Sequence, residues 1–197
     1  MHRFLEALAE AERFHGHICP GLIIGVKMGL AALKLLGSSR SEDEEIVAIV
    51  ENDSCAVDGI QVVVGASLGK GNLFVKMYGK MAATFYSRKT GEAYRLVLTQ
   101  EGRQKLLSAL SDKGFFSQDK EARKGALEAI ERIRDEDLFK IQRVIVEIPP
   151  QAQIRNSVAC DECGELTMET LTLSVNGRRL CIPCATKEKY YKLKTNF

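Results

Sequence analysis

The chain lacks the features that would place it in a membrane, on nucleic acid or outside the cell. No apolar run reaches the ~20 residues that a helix needs to cross a bilayer. The 28 lysines and arginines are nearly matched by 26 aspartates and glutamates, and the resulting net charge of +2 is too small to announce a surface for nucleic acid or anionic lipid. Internal repeats and low-complexity tracts are missing. The opening residues, Met1-His-Arg-Phe-Leu-Glu-Ala-Leu-Ala-Glu, carry acids inside an apolar pattern and read as an amphipathic helix, not as a secretion leader. The expected location is therefore cytoplasmic, with no membrane partner. There thiols stay reduced, and Cys-x-x-Cys pairs serve as metal ligands more often than as disulfides.

What remains is an ordinary globular composition, 45% hydrophobic and 27% charged, in a length that admits one domain plus a small appendage. Phe4, Leu5, Leu8 and Ala11 recur at helical spacing within residues 2–13. Pro20-Gly21 opens a second helix running to about Gly37, apolar on nearly every face and so expected to be buried on several sides. Residues 45–50 are β-branched and read as a central strand. Residues 55–66 suit either a strand or a helix; an Asp53/Ser54 start and the spacing from Val57 favour the helix. Gly69-Lys-Gly-Asn72 is a turn. Three strands are expected at 73–78, 82–88 and 93–99, with hairpin turns at Gly79-Lys80 and Lys89-Thr-Gly91 that demand antiparallel pairing. Helices at about 100–111 and 119–134 precede a strand over 139–148, which Pro149-Pro150 ends. The polar stretch 151–159 links this core, residues 1–150, to a module at 151–197.

The six cysteines fall into two groups. Cys160-Asp-Glu-Cys163 and Cys181-Ile-Pro-Cys184 form two Cys-x-x-Cys pairs whose separation is that of a four-thiolate zinc site. Leu171–Val175, Asn176-Gly177 and Arg178–Leu180 read as a hairpin carrying the second pair. A module of this size cannot build an adequate core alone, so structural zinc would supply much of its folding energy; rubredoxin-type iron is the alternative. The spacing and the following Cys-Ile-Pro-Cys-Ala resemble zinc ribbons of the DksA/TraR type. Arg178, Arg179, Lys187, Lys189, Lys192 and Lys194, with Tyr190 and Tyr191 among them, suit contacts to nucleic acid or to a protein partner, or simply a solvated helix end.

The second group stands upstream. His15-Gly-His17-Ile-Cys19-Pro-Gly21 places two imidazoles and a thiol just before a helix, whose N-terminal end favours an anion and so suits a thiolate as ligand or nucleophile. Cys55 follows in Asn52-Asp-Ser-Cys-Ala-Val-Asp58-Gly. The bland reading is a buried structural cysteine beside a hydrogen-bonded histidine. Gly69-Lys70-Gly-Asn72 lacks the full Walker pattern, so it is read as a plain turn, with Lys70 available to line a cleft.

Phe14-His-Gly-His-Ile-Cys-Pro-Gly21, with Asn52-Asp-Ser-Cys55-Ala-Val-Asp58-Gly-Ile-Gln61, Gly65 and Gly69-Lys-Gly-Asn-Leu73, resembles the FmdE family of formylmethanofuran dehydrogenase components over roughly residues 10–148. The resemblance implies an α+β fold class, a mainly antiparallel sheet packed with helices, here followed by the small zinc-ribbon domain. It also implies an intertwined homodimer and the convergence of the two motifs. His17, Cys19 and Cys55 are then expected to hold a second divalent transition metal, zinc first, with His15 and Asp58 beside it. Cys19, Asp58 and Lys70 are the candidate catalytic residues. Family members often carry Cys-Thr after the glycine at 65, where this chain has Ala66-Ser67. Two functions are expected to compete: a metal-dependent core that handles an unnamed small molecule, and a regulatory adaptor that works through the ribbon.

Overall fold

The computed structural model describes residues 4–112, 114–116 and 118–192. Residues 2 and 3 of the expected first helix, and Lys194 of the basic tail, lie outside them. Helix α1 (Phe4–His15) buries Phe4, Ala7, Leu8 and Ala11, the face that the helical spacing selected. Helix α2 (Pro20–Leu36) starts at the N-cap Cys19 with Pro20 in the first turn, and stops at Gly37, whose φ of 59° is the left-handed cap that glycine adopts without strain. Leu22, Ile23, Val26 and Ala32 are fully buried and Met28 nearly so. The helix is thus enclosed on several sides, as an all-round apolar pattern requires.

Strand β1 (Ile46–Val50) is followed by α3 (Ala56–Val64) and β2 (Leu73–Val75), then by β3 (Ala82–Ser87), β4 (Ala93–Leu98), α4 (Gln100–Asp112), α5 (Lys120–Glu131), α6 (Asp135–Leu138) and β5 (Phe139–Arg143). The ambiguous stretch after Cys55 is therefore helical. The five strands form one sheet in the order β2-β1-β3-β4-β5. Pairing is antiparallel throughout except between β1 and β2, which run parallel with Ala48 opposite Leu73.

That parallel pair corrects the expected hairpin at Gly79-Lys80: β2 and β3 lie on opposite sides of β1 and never pair with each other. The connection between them passes over the end of β1, where Lys76 N donates to Val50 O and both Tyr78 N and Lys80 N donate to Glu51 O. Six residues comfortably cross the two strand spacings of ~4.8 Å involved. The α3 crossover makes β1-α3-β2 a βαβ unit, the connection that a parallel pair needs.

The last core strand is shorter than expected. After Arg143 only Val144 N extends the ladder, to Ala93 O. The chain then runs extended past Arg88, which donates to Pro149 O. Helix α5 ends at Glu131, and the buried Lys27 donates to the carbonyls of Glu131 and Ile133 just beyond it.

The chain divides into two compact units, Met1–Ala152 and Gln153–Phe197. In the second, β6 (Ser157–Ala159) pairs with β7 (Leu166–Met168), and β8 (Thr172–Val175) pairs with β9 (Arg178–Cys181), which leads into the short α7 (Ile182–Thr186). Asn176 and Gly177 turn the β8–β9 hairpin, both with positive φ, the geometry of the two-residue turn that Asn-Gly favours. Among the described residues no helix is long and apolar enough to cross a membrane.

Candidate metal centres

Two helix ends build the upstream cluster. His15 closes α1, Gly16 turns the chain with φ of 96°, and Cys19 caps α2 by accepting from Leu22 N at 3.4 Å. His17 projects from the loop between them and is exposed, while His15 and Cys19 are half-buried. One donor atom each of His15, His17 and Cys19 lies within 4.8 Å of the others. The two imidazole centroids are 4.7 Å apart.

His15 is held from behind. Its Nδ1 stands 2.7 Å from Asp58 Oδ2, and because a carboxylate only accepts, Nδ1 carries the proton. With the Nδ1 proton on Asp58's side, the ring turns Nε2 toward Cys19 Sγ at 4.0 Å, and in the neutral form that nitrogen offers a lone pair. A carboxylate behind a histidine that offers its other nitrogen is the arrangement that orients metal-binding imidazoles. The donor set of two nitrogens and one sulfur, in a site open on one side, fits a borderline cation such as Zn²⁺.

Cys55 and Asp58 arrive on α3 because α2 and α3 touch backbone to backbone. A Cβ added at Gly25 would lie 2.0 Å from Ala56 O, one at Gly59 2.7 Å from Leu22 O, and one at Gly29 2.9 Å from Val63 Cβ. At Gly21 the added atom would meet Cys55 Cβ at 3.1 Å and Cys19 Sγ at 3.8 Å. The glycines at 21, 25 and 29 are spaced by four, a single helix face, and this stripe is the signal in the sequence that accounts for the meeting of the two motifs. Cys55 lies beside Cys19 but outside the three-donor group. Burial, and then hydrogen-bond contact with the Cys19 thiol, push the Cys55 thiol above its ordinary value.

A cleft of about 310 Å³ opens on this cluster, lined by His15, Asp53, Cys55, Asp58 and Gln61, with Leu68 on its apolar side. Lys70 does not line it. The Lys70 amine donates to Glu42 O and its amide to Ser67 Oγ, and the side chain borders a separate cavity. Ala66 is buried at 1% exposure and borders that same cavity, so the lack of a thiol there leaves the His15–Cys19 cluster untouched. Asn72, fully buried, fixes the glycine turn: its amide donates to Asp43 O and Ile46 O and its carbonyl accepts from Ser67 N.

The second cluster joins Cys160, Cys163, Cys181 and Cys184, whose sulfurs all lie within 4.8 Å of one another. Cys181 N donates to Cys160 Sγ at 3.3 Å, and Cys163 Sγ stands 3.9 Å from Cys181 Sγ. Backbone amides of Cys163, Cys181 and Glu162 bring the Cys160 thiol down to about 6. The Cys181 thiol and then burial push Cys184 up to about 12, since crowded thiols cannot all ionise without a compensating cation. A divalent ion reverses that balance. The buried cluster of this unit consists of the sulfurs of Cys160, Cys181 and Cys184 with Leu180. One leucine is no core, and the donor set fits a structural metal that replaces one. Three of the basic residues around it are paired: Arg178 and Lys187 with Glu162, and Arg179 with Glu169.

Known proteins repeat both parts. Residues 14–140 match the family model described as FmdE, molybdenum formylmethanofuran dehydrogenase operon, and residues 153–190 match the prokaryotic dksA/traR C4-type zinc finger. A probable S-adenosyl-L-methionine-binding protein of Archaeoglobus fulgidus is 33% identical over 195 residues, which cover 90% of this chain and 52% of that protein. The chain thus spans about half the length of this relative. The crystal structure of a tungsten formylmethanofuran dehydrogenase FmdE-like protein from Syntrophus aciditrophicus shares the fold, with a TM-score of 0.65 at 24% identity over 95% of each chain.

Proposed function

The chain belongs to the FmdE family, and on that premise we propose that its core unit is a metal centre that handles a small molecule, while the C-terminal ribbon is held by structural zinc. The observation that carries this reading is the convergence of one donor atom each of His15, His17 and Cys19 within 4.8 Å, with Asp58 fixing the first of these residues. Cys55, which interacts with the Cys19 thiol, is the candidate fourth donor.

A bound divalent ion would supply Lewis acidity and an open coordination position. The protein's own part is to fix the His15 tautomer through Asp58, to crowd the Cys19 and Cys55 thiols together, and to offer a half-apolar cleft at their side. Asp58 is the candidate base, and Leu68 and Val57 form the apolar part of the cleft lining. S-adenosylmethionine is the first small molecule to try, because the name of the Archaeoglobus relative carries it and its amino-acid end can chelate a metal. The chain works in the cytoplasm as a homodimer in this reading.

The adaptor reading survives in one form. With Arg178, Arg179 and Lys187 paired to carboxylates, half of the described cations of this unit are partly neutralised, which weakens the case for a phosphate backbone. The exposed Leu166, Met168, Leu171 and Leu173 suit a protein partner better than nucleic acid. Binding to random DNA at low salt would reverse that preference.

The test of the main reading is metal per chain, with the element identified, in native protein and in Cys19→Ala and Cys160→Ala variants. The native protein is expected to hold two ions and each variant one. Unchanged metal content in Cys19→Ala would sink the core site.

A further inference from the structure

Beside the His15 cleft lies a second cavity of about 210 Å³, bordered by Phe14, Arg40, Gln61, Ser67 and Lys70. Its polarity is the opposite of its neighbour's. The cleft holds Asp53 and Asp58 and no lysine or arginine, whereas this cavity holds Arg40 and Lys70 and no acid. Arg40 Nε donates to Val62 O at 2.8 Å and Lys70 Nζ to Glu42 O at 3.2 Å. Both acceptors are neutral carbonyls, so the side chains are steadied while their charges stay uncompensated. Phe14 is 59% exposed. A lone exposed phenylalanine means little, but one on the rim of a cavity with two free cations supplies a ring face beside an anion site.

We propose that this cavity binds a monocyclic aromatic anion, its ring against Phe14 and its phosphate or carboxylate between Arg40 and Lys70. Charge-assisted hydrogen bonds from guanidinium and ammonium groups suit either anion, and an aromatic face adds offset or edge contacts to a ring. The volume decides the size of the ligand. Pockets for drug-sized molecules run to ~300–1,000 Å³, so this smaller one takes a single substituted ring and not a dinucleotide. Gln61 borders both cavities, and Phe14 directly precedes His15. A ligand seated here therefore extends its far end toward the His15–Cys19 cluster, and the cavity holds the part of the substrate that does not react. That last step rests on the metal reading; binding of the aryl anion does not.

The test is a heteronuclear NMR titration of the full chain with phenyl phosphate, benzoate, inorganic phosphate and benzyl alcohol. Phenyl phosphate or benzoate is expected to move the resonances of Phe14, Gln61 and Ser67, with inorganic phosphate at least tenfold weaker and benzyl alcohol silent. The tighter of the two aryl anions identifies the anionic group. Arg40→Gln and Lys70→Met should each weaken binding about tenfold or more, as loss of a charge-assisted bond does, and Phe14→Leu should erase the advantage over inorganic phosphate. All three variants should keep the native metal content, and Cys19→Ala should keep the aryl-anion affinity, which separates this proposal from the metal reading. Equal binding of phenyl phosphate and inorganic phosphate would overturn it. So would unmoved Phe14 and Ser67 resonances, or an Arg40→Gln/Lys70→Met double variant that binds like the native chain.

Discussion

Replacing Gly25 by alanine should damage the protein more than any other single added methyl group in α2. The new Cβ would lie 2.0 Å from Ala56 O, and relief to an ordinary ~3.5 Å contact means parting α2 and α3 locally by about 1.5 Å. The partner is backbone inside a helix and cannot swing aside. Overpacking of this kind costs about 1–3 kcal/mol, and separating Leu22 and Val26 from Ile60 and Val63 costs more. Against this, alanine in place of glycine in a helix returns about 1 kcal/mol. The net expectation is a loss of roughly 2 kcal/mol, the upper end of overpacking less propensity, because the lost α2–α3 packing adds to it. Gly125 is the control, because its added Cβ would meet nothing within 4 Å, so Gly125→Ala should gain up to about 1 kcal/mol from helix propensity alone. Chemical denaturation of both variants gives the comparison. Since the same crossing brings Cys55 to Cys19, Gly25→Ala should also lower the yield of a Cys19–Cys55 cross-link by a short dithiol-specific reagent. A Gly25→Ala protein as stable as Gly125→Ala would refute the close-packed crossing and with it the route by which the two motifs meet.

Asp58→Asn keeps the size but turns a pure acceptor into a group that can also donate; if the core holds a metal, its affinity should fall about 10- to 100-fold, read by competition with a chromogenic chelator. Acid sensitivity follows from two carboxylates: Ser41 and the Asp43 backbone hold Glu45 at about 2, and Arg134 with Lys105 hold Asp137 at about 2. Both folded values lie below the ordinary ~4 of the unfolded chain, so their stabilisation is complete above pH ~5 and is lost as pH falls toward 2. A Glu45→Gln/Asp137→Asn variant should show a shallower fall in stability across that window, measured by denaturation at stepped pH, and an unchanged slope would contradict it. Chelation at neutral pH should abolish amide protection in residues 157–184 while the β1–β4 amides keep theirs; loss of both together would mean that the core depends on the ribbon metal.

Local signals carried most of the elements. The caps of α2, the β-branched run of β1 and the Asn-Gly turn of the ribbon each have a cause within a few residues, and the Cys-x-x-Cys spacing made the four-sulfur cluster readable outright. The β1–β2 pairing was not readable, because a parallel register depends on a helix packing across the sheet and leaves no turn signature. Strand 139–148 looked longer than β5 because alternation continues after the partner strand β4 has run out. At the upstream cluster the participating residue types were visible, but not which imidazole faces the thiol: that depends on Asp58, 43 positions from His15. The glycine spacing at 21, 25 and 29 was in plain view, yet it becomes meaningful only once α3 is known to lie against it.

The most direct test of a working metal centre in the core is cobalt(II) reconstitution of the apo chain, followed by thiolate-to-cobalt charge-transfer absorption. Two separable sites are expected: a four-thiolate signal that disappears in Cys160→Ala, and a weaker signal from mixed nitrogen and sulfur ligation that disappears in Cys19→Ala and in His15→Ala but survives in Cys160→Ala. A Cys160→Ala protein with no thiolate-to-cobalt absorption at all would leave the ribbon as the chain's one metal site and refute the core centre.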